Sequence, residues 1–153
     1  MRTALDDART WLLESLFYTN ELHATVVELI RCDASESLVV CGQTIEGLHA
    51  LASSAGSRRL TIRFSRIVAW QVVNESYTAF DESEQRDDDL ILQTLTRSAY
   101  LNYVEANHGW FKDMAGPAMH YRLWTENEVA DVVSHEPPVV EQYTSAPSRP
   151  RGV

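Results

Sequence analysis

HYRLWTENEVADVVS, residues 120–134, falls into two halves around a polar centre. In the first, His120, Arg122 and Trp124 alternate with Tyr121, Leu123 and Thr125, the period-2 pattern of a strand. The second, VADVVS, is short and rich in β-branched valine, and Glu126-Asn127-Glu128 supplies a turn between them. A helical reading competes: Thr125 and Glu128 form a capping box, and a helix would set Asp131 and His135 on one face as a pair of metal ligands. Three valines in six residues, with Pro137-Pro138 close behind, work against that helix. On a strand the same two side chains lie about 13 Å apart, too far to share an ion. The stretch therefore predicts a hairpin with no metal site, and leaves open whether His120 and Asp131 interact across its strands.

Working outward, RLTIRFSRIVAWQVVNESY (residues 59–77) carries the strongest β signal. Leu60, Ile62 and Phe64 alternate with polar residues, and residues 67–73 are almost continuously apolar. This pair is expected at the centre of the sheet and of the core. Upstream, residues 10–32 mix helical and strand signals, and Thr19-Asn20 favours a hairpin. SLVVCG (residues 37–42) reads as a strand, and residues 44–56 as a helix capped by Thr44 and ended by Gly56. LILQTL (residues 90–95) suggests a strand. Residues 98–109 suggest a helix capped by Ser98, with Tyr100, Tyr103 and Val104 as its apolar face. Residues 109–119 read as a loop around Gly116-Pro117.

The chain has 153 residues, 44% hydrophobic and 23% charged, which fits one domain with a sizeable core. No apolar run approaches the roughly 20 residues of a membrane span. Asp6 and Asp7 stand where a leader peptide needs apolar residues, so a cytoplasmic location is expected. The formal net charge is −9, and Lys112 is the sole lysine. Phosphate backbones require clustered Lys and Arg, so nucleic acid is not expected as a partner. A protein partner with a basic surface would be attracted. The acidic segment DESEQRDDD (residues 81–89) reads as a solvated loop. Cys32 and Cys41, placed on two strands around a loop near residues 33–37, would lie out of register, so no disulfide is expected. No CxxC motif accompanies them.

Few residues carry candidate chemistry. Glu75 follows the most apolar strand, and Tyr77 stands near enough in sequence to orient it. Such a carboxylate is a general base if burial raises its pKa, and otherwise an ordinary strand-end acid. Trp70 and Trp124 are expected to fill the core, and Trp110, beside a helix end, to be a surface anchor. No GxSxG, GxxxxGK[ST], HExxH or GxGxxG motif occurs, so no catalytic residue and no cofactor is expected.

The segments FSRIVAWQVVNESY, SAYLNYV and HYRLWTENEVADVVSHEPP together resemble a small uncharacterised bacterial protein family. The shared steps are Asn-Glu-Ser-Tyr at residues 74–77, Ser-x-x-Leu at residues 98–101, and the closing His-Tyr…Asp-Val-Val-Ser…Pro segment. The resemblance spans roughly residues 11–138. It implies a bacterial cytosolic β-rich domain and transfers no catalytic residue.

The expected fold is α+β: a curved, mainly antiparallel sheet of about six strands with two short helices. Residues 1–138 form the single domain, and residues 139–153, Pro-rich and aperiodic, an extended or flexible tail. The leading function is a non-enzymatic protein-interaction module, immunity-like or a subunit of an assembly. The alternative is a small hydrolase or ligand-binding domain using Glu75, His120 and Asp131. A self-associating chain joined through an exposed strand edge is a third reading.

Overall fold

The computed structural model describes residues 3–7, 10–79, 81–87 and 90–143. Among them are eleven strands and two α-helices, and every strand pairing is antiparallel. Strands β1 (Trp11–Tyr18), β2 (Leu22–Glu28), β5 (Arg59–Phe64) and β11 (Val139–Gln142) form one sheet, in that order. Strands β6 (Ile67–Asn74), β10 (Glu128–Ser134), β9 (Met119–Trp124), β8 (Leu92–Arg97) and β7 (Gln85–Arg86) form a second. A third sheet holds only β3 (Ile30–Val40) and β4 (Gln43–Ala52). The first two sheets pack face to face, and helices α1 (Ala99–His108) and α2 (Trp110–Ala115) belong to the outer side of the five-stranded one.

Alternation in β5 shows how the sandwich forms. Leu60, Ile62 and Phe64 point into the core. Arg59 and Arg63 point outward, to Glu14 on β1 and to Glu21 just before β2. Across the interior, Leu13, Leu22 and Ala24 meet Leu123, Ala130 and Val132 of the second sheet. The chain changes sheet in two residues, Ser65 and Arg66, with Arg66 in the left-handed region at φ 48. His135 N–H donates to the Arg66 carbonyl and pins this corner. At the other flank Asn127 bonds both the N–H and the carbonyl of Leu13, at 2.9 and 3.1 Å. Glu126 N–H reaches the Trp11 carbonyl, so the β9–β10 turn is tied to the edge strand β1.

The hairpin at residues 120–134 and the one at residues 11–28 are both present. The single sheet of about six strands is corrected to eleven strands in three sheets. An alternating sequence shows that a strand has a buried face, not which sheet supplies it. For the same reason β5 and β6 are not a central pair. β5 is interior to its sheet, whereas β6 is an edge strand and its residues are only partly buried.

Residues 44–56 are not helical. Cys41 and Gly42, at φ 51 and 78, make a two-residue turn that folds β4 back on β3, and Gly47 adopts φ 71 within β4. Both central φ values are positive, as a tight hairpin turn requires. Consequently β3 continues through residues 33–37 instead of turning there, Cys32 lies on β3 and Cys41 in the turn itself, and both are free thiols. Residues 109–119 hold the short helix α2 rather than only a loop. On α1 the buried residues are Leu101 and Val104, while Tyr103 is exposed. Ser98 caps that helix as expected, its hydroxyl accepting from Leu101 N–H. Trp11 is the wholly buried tryptophan, whereas Trp70 and Trp124 are only partly covered. The expected tail opens with β11, which pairs with β5, and residues 144–153 lie outside the described residues.

Ile62 is completely buried at the middle of the packed sheets. Truncating Ile62→Ala should lower unfolding free energy by about 2–5 kcal/mol in denaturant titration. Val139→Ala, on an exposed position of β11, should change it by less than about 0.5 kcal/mol.

Candidate functional site

Strand register places four polar residues in one row across the five-stranded sheet. Gln71 on β6 pairs with Asp131 on β10, Asp131 with Arg122 on β9, and Arg122 with Gln93 on β8. All four share the face that carries α1. Asp131 is the hub. Its Oδ1 accepts from His120 Nε2 at 2.8 Å and from Arg122 Nε at 2.7 Å, and its Oδ2 accepts from Gln71 Nε2 at 3.0 Å. The other guanidinium nitrogens of Arg122 hold Glu84 in a bidentate pair, one arm at 2.9 Å. The side chains of Arg122 and Glu84 are 8% and 7% exposed. Glu84 belongs to the segment expected to be a solvated loop, so one of its acids turns inward to neutralise a buried cation.

His120 is fully buried, and Ser98 Oγ lies 2.7 Å from its Nδ1. With Nε2–H donating to Asp131, Nδ1 accepts the Ser98 hydroxyl proton. The same oxygen then receives Leu101 N–H, so the run from Leu101 through Ser98 and His120 to Asp131 is matched, whereas Gln93 Oε1 at the end of the row is buried without a partner. Serine, histidine and aspartate thus stand in line, as in a hydrolase triad, but the arrangement cannot perform that chemistry. The serine oxygen is occupied as a helix cap, it faces Nδ1 rather than Nε2, and no substrate carbonyl can approach a buried hydroxyl. Tyr100 packs edge-on against the His120 ring, with centroids 5.4 Å apart.

Electrostatics agree with this. Burial pushes the Asp131 carboxyl up, but hydrogen bonds from His120 and Gln71 and the nearby positive charge of Arg122 outweigh it and hold the group at about 2. A carboxylate so depressed is a poor general base near neutral pH. Burial, aided by the Asp131 charge, pushes the Tyr100 hydroxyl up to about 12. Above the row lies a concavity whose rim includes Tyr77, Thr78, Asp81, Glu84 and Tyr100.

The expected site residues do not converge. His120 and Asp131 do meet, which settles a contact the hairpin alone left open. Glu75 sits in a different cleft beside Trp11, Trp124 and Glu126. Tyr77 is 83% exposed on the rim near Asp131. Trp110 projects from α2 with 82% of its surface free. His135 turns away from Asp131 to the Pro117 carbonyl and the Phe111 ring. The partners missed from sequence are Gln71, Ser98, Glu84 and Arg122. Arg122 was accessible to reasoning, since it lies two residues from His120 and shares its face. Gln71 is the lone polar side chain inside IVAWQVV, a signal in itself. Glu84 has none, because nothing in an acidic run marks which member turns inward.

No family model, no curated protein and no solved structure matches the chain. Among the described residues no helix is long and apolar enough to cross a membrane.

The depressed Asp131 carboxyl makes stability pH-dependent. Unfolded, the group titrates near 3.8, and folded near 2, so its contribution is complete above pH of about 4 and is lost as pH falls through about 2, a change of roughly 2 kcal/mol. Asp131→Asn should remove that acid limb from a plot of unfolding free energy against pH. It should also cost about 3 kcal/mol at neutral pH, because Arg122 and Glu84 remain buried with their network broken.

Proposed function

We propose that the chain is a non-enzymatic protein-interaction module whose contacting element is the β3–β4 arm. The observation that carries this reading is the arm's surface. Ile30, Leu38, Val39, Val40, Ile45, Leu48 and Leu51 are all exposed, between 38% and 66%. Seven large apolar side chains on one two-stranded element exceed what scattered surface exposure accounts for, and such patches mark protein contacts. On the helical side Trp110 and Met114, one turn apart and each 82% exposed, offer a second anchor of the type enriched at interfaces.

Charge adds a preference. With a net charge of −9, and with Asp33, Glu36 and Glu46 on the arm, the molecule favours approach to a basic surface. An assembly subunit and an immunity-like protein that occludes its target both fit this description. The hydrolase or ligand-binding alternative has less support. Glu75 is apart from the His120–Asp131 pair, and that pair is consumed in holding the sheet together.

In-cell cross-linking from the arm tests the reading. A tagged chain cross-linked in its native cell and purified should carry a stoichiometric polypeptide joined to residues 30–52, identified by mass spectrometry. Replacing Leu38, Val40 and Ile45 by Ser should abolish it. Absence of any polypeptide cross-linked to the arm would overturn the assignment.

A further inference from the structure

We infer that the free edge of β6 receives an extended, basic segment of a partner protein, which adds to the five-stranded sheet as a further antiparallel strand. This contact is separate from that of the β3–β4 arm and goes beyond it.

Register shows which backbone groups of β6 are unpaired. Glu75 N–H donates to the Asn127 carbonyl, and this pair continues the register in which Val73 pairs with Val129 and Gln71 with Asp131. In an antiparallel ladder, bonded pairs alternate with non-bonded ones. Glu75, Val73 and Gln71 therefore turn their N–H and C=O groups to β10, and Trp70 and Val72 turn theirs outward. The other side of β10 agrees. Thr125 N–H donates to the Glu128 carbonyl, so Glu128, Ala130 and Val132 direct their backbone groups to β9 and leave Val129 and Asp131 to bond β6. Among the described residues no strand or turn pairs with the outer side of β6. The Asn74 carbonyl, at the end of the strand, is taken by the Thr78 hydroxyl.

A row of backbone groups, unlike an apolar face, specifies what covers it, because another extended chain offers N–H and C=O groups at the matching spacing. This edge also lacks the devices that keep strands apart. Strand β1 carries Glu14 and a bulge, and its start is tied to the β9–β10 turn. Strand β7 has two residues, and β11 carries Glu141. The arm strands carry Arg31, Asp33, Glu36 and Glu46. The eight residues of β6, IVAWQVVN, contain neither charge nor proline.

The sides of the added strand follow from those of β6. Val72 packs against the sandwich core, and the exposed Trp70 shares its side, so side chains opposite these two are apolar. Gln71 and Val73 face the other way, into the concavity that also holds Asp81, Glu84 and Asp131. Three carboxylates there outnumber Arg122 on the floor and Arg97 near Asp81, so side chains opposite Gln71 and Val73 are basic. The same reasoning disfavours β6 of a second copy as the added strand, since it brings no cation and comes with a net charge of −9.

A synthetic peptide of alternating lysine and valine, as long as β6, tests this. Antiparallel pairing with the valines opposite Trp70 and Val72 turns the valine N–H groups toward β6 and the lysine N–H groups to solvent. Titrated into the purified full chain, the peptide should bind in equimolar ratio and slow hydrogen exchange at the Trp70 and Val72 amides. In the peptide-free monomer those amides should exchange freely while the Gln71 and Val73 amides are protected. N-methylation of the valines should weaken binding by about tenfold or more, whereas N-methylation of the lysines should leave it unchanged. Replacing the lysines by glutamate should weaken it comparably. No binding at millimolar peptide, equal binding of both methylated forms, or Trp70 and Val72 amides already protected in the free monomer overturns the proposal. Undiminished binding of the glutamate peptide overturns the basic character of the partner, and a loss on lysine methylation alone overturns antiparallel pairing. Protection at residues 30–52 instead of β6 moves the peptide to the arm and overturns the edge site. A peptide-free dimer that protects Trp70 and Val72 makes a second copy the occupant, which overturns the partner named here.

Discussion

Asp131 accepts three side-chain hydrogen bonds, one from β6 and two from β9, and the helical side of the molecule is built outward from it. Gln71 ties in the edge strand β6, His120 leads through Ser98 to the first turn of α1, and Arg122 draws Glu84 and the short strand β7 onto the sheet. Burying these charges costs several kcal/mol each unless every one is paired. The network is therefore all or nothing, since a partly satisfied group of this kind is worse than an apolar patch of the same shape. It fixes strand register in a way that apolar packing does not, because a one-residue slip would turn Asp131 into the hydrocarbon core.

The two faces of this sheet thus obey different rules. Toward the sandwich interior, Leu123, Ala130 and Val132 contribute by area alone and tolerate exchange with residues of similar volume. Toward α1 the fit is chemical, and each partner has a specified donor or acceptor. Catalysis would call for the reverse economy: a titratable group near neutrality, open to a ligand. Here the histidine is enclosed, the aspartate is held ionised, and the serine is committed to the helix terminus. The same residue types that compose a hydrolytic site act as a clamp.

How much of this was readable in the amino-acid sequence varies with the range of the forces involved. The β9–β10 and β1–β2 hairpins are local, set by alternation and turn residues, and both were legible. The hairpin brought His120 and Asp131 within possible reach, but their contact was not readable, since it depends on side-chain direction as well as register. The division into two sheets was not, because it depends on Arg66 adopting a left-handed corner, which arginine does not announce. The arm misled for a similar reason. Ile45, Leu48, Leu51 and Ala52 are spaced for one side of a helix, and the same spacing arises when a glycine bulge shifts a strand by one residue. Only the pairing with β3 separates the two. Among the expected site residues, Glu75 follows Asn74 into a short helical turn and sits half-buried in a cleft of its own, away from His120 and Asp131, a placement that the end of an apolar strand does not reveal.

Mechanical separation completes the division of labour. Strands β3 and β4 pair with each other and with no other strand of the described chain, while the core residues lie in the two packed sheets. An arm joined to the body only at its base adds little to the cooperativity of the sandwich, and the sandwich lends it little support. Loss of its order then costs the body little. Local stability of this kind lies at the low end of the range within one protein, where elements that engage other molecules are drawn from. The clamp around Asp131 makes that arrangement tolerable: register on the far sheet is secured by charge, through bonds in which no residue of the arm takes part.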